Sequence, residues 1–89
     1  MKLIVKKEKL EEFDKKKVYR SCYAACLNAH YTKQNAKKVA NAVTRLVVKW
    51  AKKEKGVINS KKIRVLMFRI LNKIDPEVAF LYETHLDIS

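Results

Sequence analysis

A chain of 89 residues has room for one domain with a modest core, and its single Gly and single Pro leave little material for linkers or long loops. A hydrophobic share of 48% beside 34% charged residues excludes the profile of a disordered chain, and no apolar run is long enough to span a bilayer. The net charge of +12, from 21 Lys and Arg against 9 Asp and Glu, directs attention to phosphate-bearing partners: nucleotides, nucleic acid or anionic lipid heads.

The opening Met1-Lys2-Leu3-Ile4-Val5 is too short and too soon charged for a signal peptide, so the expectation is a soluble cytoplasmic protein. Leu3 to Val5 and Leu10 to Phe13 read as two short strands joined by a polar turn, and Asp14 supplies an N-cap for a helix starting at Lys15. Lys15, Lys16 and Lys17 then occupy the first turn, where the macrodipole is positive and disfavours each cation by roughly 0.3–1 kcal/mol. A bound polyanion would offset that cost, because a helix N-terminus presents amide donors, and Lys6 and Lys7 could face the same point. The bland alternative is that three flexible lysines splay into water.

The first helix is expected from Lys15 to Asn28, with Val18, Cys22 and Ala25 on an inward stripe of small residues. Cys22, Cys26 and His30 follow at spacings of four and share a face, but a structural metal site needs four ligands and His85 is remote in sequence. Two small, buried, reduced thiols are the preferred reading. Thr32 caps a second helix running to about Lys53, with Ala36, Val39, Ala40, Val43, Leu46, Val47 and Trp50 inward and lysines around the remainder. Trp50 sits in that periodic stripe, which favours packing over stacking on a base. Lys55-Gly56 reads as the stop signal of this helix.

Val57 and Ile58 suggest a third short strand. Asn59 or Ser60 then caps a third helix from Lys61 to about Lys73, whose first turn is again basic through Lys61, Lys62 and Arg64. The fourth helix provides an internal control: Asp75 caps it, Pro76 opens it and Glu77 follows, all as the dipole prefers. The expected fold is α+β and mostly helical, an N-terminal β-hairpin or small three-stranded sheet packed on a four-helix bundle, with 1–89 as a single domain. If the third strand pairs with the hairpin, the two basic helix starts lie on one side of the molecule.

Val5-Lys6-Lys7, Glu11-Glu12-Phe13-Asp14 and Lys17-Val18 resemble the opening signature of the ATP-cone domain. Ile58-Asn59-Ser60-Lys61-Lys62-Ile63, the Leu71 to Asp75 stretch and Glu77-Val78-Ala79-Phe80-Leu81-Tyr82 are similar to its closing pattern, so the resemblance covers nearly the entire chain. It implies ATP or dATP, with or without Mg2+, held between hairpin and helices, in a regulatory domain of the kind attached to ribonucleotide reductases and their transcriptional repressor. By this resemblance Lys6 and Lys7 are a phosphate-binding pair and Lys17, Ser60 and Arg64 are further phosphate contacts. Glu11 and Asp14 meet the adenine, and Ile4, Phe13 and Val18 form its apolar surround. The chain departs from the pattern at Lys7-Glu8-Lys9, where the family has an acidic-glycine turn one residue longer, and at Lys7, where Arg is usual and a planar fork gives way to a point charge. These 89 residues hold no Cys-x-x-Cys zinc ribbon and no P-loop, and the expectation is a cone without an attached reductase domain, regulating a separate chain or another copy of itself.

The leading expectation is therefore a stand-alone, non-enzymatic module that changes conformation or oligomeric state with nucleotide occupancy, through self-association or a separate regulated protein and without a membrane partner. No carboxylate pair and no Ser, Cys and His arrangement proposes catalysis. Two alternatives stand beside it. One is a cone that keeps the fold as a protein-interaction module without nucleotide. The other is a basic helical domain for nucleic acid, using lysines 37, 38, 49, 52, 53, 61 and 62 as a phosphate-tracking surface.

Overall fold

The structure, a computed structural model, describes residues 3–6, 9–12, 14–54 and 58–86, and the side chains of 14–54 and 58–84. Four helices carry the domain: α1 (Lys15–Asn28), α2 (Lys33–Lys53), α3 (Ser60–Ile74) and α4 (Pro76–Leu86). Their apolar stripes meet in one core, with Cys22, Val43, Val47, Met67, Leu71 and Val78 at its fully buried centre. Small residues let α1 and α2 approach closely, since Ala25, Ala36 and Ala40 are wholly buried beside them.

The helices form a ring in which α1 touches α2 and α4, while α3 touches α4 and α2. Short connections make successive helices antiparallel: the turn 29–32 joins α1 to α2, and Asp75 alone joins α3 to α4. α1 also runs against α4, because Cys22 feels Tyr82 near the end of α4 whereas Cys26 feels Asp75 at its beginning. Hence α1 and α3 are parallel and stand at diagonal corners of the ring.

Three extended backbone segments accompany the helices: β1 (Leu3–Lys6), β2 (Lys9–Glu12) and β3 (Ile58–Asn59). β1 pairs antiparallel with β2, from Leu3 opposite Glu12 to Lys6 opposite Lys9, and parallel with β3 through Ile4–Ile58 and Val5–Asn59. This ladder touches α3 and is not a layer laid across the ring. The expected class, α+β with a hairpin or three-stranded sheet packed on a four-helix bundle, is therefore corrected to a mostly helical domain. Helices take up 87% of the residues whose side chains are described, and among those residues there is one short strand and no sheet. The physical reason lies in the core: every buried residue among them except Ile58 belongs to a helix, so burial that holds the fold together is exchanged between helices.

The helix ends follow local chemistry. Asp14, Thr32 and Asn59 each adopt extended backbone and accept a first-turn amide, at Lys16, Asn35 and Lys61 respectively. α1 closes in a Schellman motif: the Tyr31 amide donates to Cys26 O and the His30 amide to Leu27 O, both at 3.0 Å, with His30 at φ 69°. Beyond it the Tyr31 hydroxyl donates to Asp75 Oδ2 at 2.7 Å, so the α1–α2 turn is clasped to the α3–α4 junction. α2 ends at a C-cap on Glu54; the stop signal expected at Lys55-Gly56, and Val57 of the expected strand, lie outside the described residues.

Candidate anion-binding surface

The start of α1 is assembled from Asp14 and the three lysines after it. Asp14 Oδ1 accepts from the Lys16 amide at 2.9 Å and Asp14 O from the Lys17 amide at 3.1 Å, so one oxygen of this carboxylate is committed to the helix cap. The first turn holds no acidic residue, and Lys15, Lys16 and Lys17 are all exposed. Val18, expected beside a base, is 6% exposed and packs inside the helical core, where little of its surface remains for a ligand.

α3 starts in the same way. Asn59 Oδ1 accepts from the Lys61 amide at 2.8 Å, so Asn59 is the cap and Ser60 the first helical residue. Ser60 is half-buried, whereas Lys61, Lys62 and Arg64 are exposed around a first turn that again lacks acid. The charge of Arg64 reaches the Tyr82 hydroxyl and opposes the burial that pushes it up to about 12. The parallel register ends with Val5 opposite Asn59, the N-cap of α3, and Lys6 is the next residue along β1 beyond that last pair.

Because α1 and α3 are parallel, their starts lie at one end of the ring, together with the end of α2. The end of β1 thus lies beside the start of α3, the element that holds Ser60 and Arg64, while Lys17 is at the same end of the ring but on the diagonal corner. Ile4, Lys6 and Glu11 are located by backbone only, on β1 and β2. Lys7 and Phe13 lie outside the described residues, as do the residues of the turn at Lys7-Glu8.

A groove that the sequence reading did not single out opens at this same end, between the start of α1 and the C-terminal half of α2. Its volume is about 500 Å³, and Lys15, Lys16, Arg45, Lys49 and Lys52 surround it, with no acidic residue among the described residues of its lining. Its floor is less polar: Val48 and the half-buried ring of Tyr19, which stacks on Tyr23 with centroids 6.0 Å apart and planes 11° from parallel. Thr44 also lines it, and its Oγ1 is buried with no hydrogen-bond partner. The spacing of Arg45, Lys49 and Lys52 on one helix face carried the signal; the contribution from α1 required knowing that the two helices pack antiparallel.

The cysteines do not belong to this surface. Cys22 and Cys26 are buried, unbridged thiols, and burial, reinforced by Cys26, pushes the Cys22 thiol up to about 12. Burial likewise raises Cys26. Among the described residues no group of three or more His, Cys, Asp or Glu could hold a metal ion, and the His85 side chain is outside them. Trp50 packs against the core, whereas Leu46, expected on the same inward stripe, is half exposed at the stripe's edge. No described helix is long and apolar enough to cross a membrane. Comparison with known proteins returned no matching family model, no matching curated protein and no matching solved structure.

Proposed function

We propose that this domain is a non-catalytic regulatory module that binds an adenine nucleoside triphosphate, ATP or dATP, and changes its conformation or association with occupancy. The observation that carries the reading is the placement of two acid-free, lysine-rich helix starts at one end of the ring, with the end of β1 beside the start of α3. A triphosphate concentrates negative charge, so it offsets the repulsion between first-turn cations and the helix dipoles while engaging exposed amide donors. The order and spacing of the residues that resemble the ATP-cone pattern support adenine over other bases, and Lys6, Lys7, Lys17, Ser60 and Arg64 are the phosphate contacts to test.

ATP or dATP at 100 times its dissociation constant should stabilise the fold by about 2.7 kcal/mol, a rise in Tm of about 10 °C or more, and GTP at equal ionic strength should do less. Lys6→Ala combined with Lys17→Ala should abolish the ATP shift while the unliganded melting curve stays cooperative. An unchanged ATP affinity in that double variant would refute the site. No shift with any nucleotide in the parent protein would leave a helical interaction module as the better description.

A further inference from the structure

We propose that the groove between α1 and α2 is a binding surface for single-stranded nucleic acid, which shares the basic start of α1 with the nucleotide site but uses none of the phosphate contacts Lys6, Lys7, Lys17, Ser60 and Arg64. Its lining combines what such ligands require. Lys15 and Lys16 form one bank and Arg45, Lys49 and Lys52 the other, so cations flank a channel with no carboxylate among its described lining residues. From Asn41 to Lys52 the channel follows α2 for about 16 Å at 1.5 Å per residue, long enough for several phosphates of a stacked strand.

The floor supplies the second half of the chemistry. Tyr19 is braced by its stack with Tyr23 and offers an aromatic surface inside the channel, as base-stacking sites do. Asn41 contributes an amide with donors and an acceptor for a base edge. Thr44 Oγ1, buried on this lining with no hydrogen-bond partner among the described residues, is a polar atom that a ligand or a water entering the groove would complete. A recess between helices admits an unpaired strand, whereas a duplex presents a convex, regular backbone that seats poorly in it.

The experiment uses the full chain and a fluorescein-labelled oligothymidylate of about 20 nucleotides, with binding followed by anisotropy across a salt series. A logarithmic plot should fall with a slope of about −3 to −3.5, the value for roughly five neutralised phosphates on a single strand. Lys49→Ala with Lys52→Ala should lower the slope by about 1.4 and weaken binding at least tenfold, and Tyr19→Ala should weaken it at constant slope. The control pair Arg69→Ala with Lys73→Ala, exposed on α3, should leave binding unchanged. Equal losses from the control pair, tighter binding of a duplex of the same sequence, or indifference to Tyr19→Ala would overturn the assignment. The Lys6→Ala and Lys17→Ala variant should still bind the oligonucleotide, and the Lys49→Ala and Lys52→Ala variant should still respond to ATP, so each reading can fail alone.

Discussion

At the scale of single residues the most informative pair is Tyr31 and Asp75, two side chains 44 positions apart that meet at 2.7 Å. The hydrogen bond from Tyr31, followed by that from the Glu77 amide, holds the Asp75 carboxyl below its ordinary value of 3.8. Its contribution to stability is therefore present above about pH 3.8 and is lost as pH falls through the folded value. The same bond, with burial second, pushes the Tyr31 hydroxyl up to about 12 from 10.0, so its contribution is complete below about pH 10 and disappears as pH rises through 12. Tyr31→Phe should consequently lower Tm by a constant, modest amount between about pH 5 and 9, with the gap closing at both extremes; a gap independent of pH would show that the bond does not form. Screening at this solvent-facing site keeps the effect small. Nothing in the sequence announces this pair, since it depends on which two helix turns end up side by side.

At the scale of elements the helix boundaries were legible because capping chemistry is local. Asp14, Thr32 and Asp75 are readable from their own neighbourhoods, and each stands immediately before its helix. The end of α1 was less so, because the Schellman turn places His30 at φ 69°, a region that favours glycine and costs an L-residue roughly 1–2 kcal/mol. His30→Gly should therefore stabilise the protein by about 1 kcal/mol, raising Tm by about 4–8 °C, while His30→Val should lower it. Differential scanning calorimetry of the two variants checks both signs. The β segments were expected in nearly the right places, but their weight in the architecture was not foreseeable: alternation in four-residue strands gives pairing partners and says nothing of how much core they share. The groove shows the same limit, since Lys15 and Lys16 acquire their partners on α2 only through tertiary packing.

For the whole molecule, the ring of helices explains why the thiols belong to the core and not to a reactive site. Cys22 and Cys26 are 0% exposed, and raised thiol values leave little thiolate to react at neutral pH. Alkylation at pH 7 should run at least about 10³-fold slower than in denaturant, and destabilising variants should accelerate it in step with their loss of stability. Labelling at the denatured rate would show that the ring opens without unfolding. The candidate site was legible in part: two basic helix starts stand out in the sequence against the conventional start of α4, yet their position at a common end follows from the alternating directions of the helices.

The closure of that ring also bears on how the protein is made. α1 is sealed on one side by α2, its immediate successor, and on the other by α4, the fourth of these helices in chain order. A growing chain that has completed only α1 and α2 still shows water the flank of Cys22 and Cys26 that α4 will cover, so the first helix of the ring is fully housed only once the fourth has emerged.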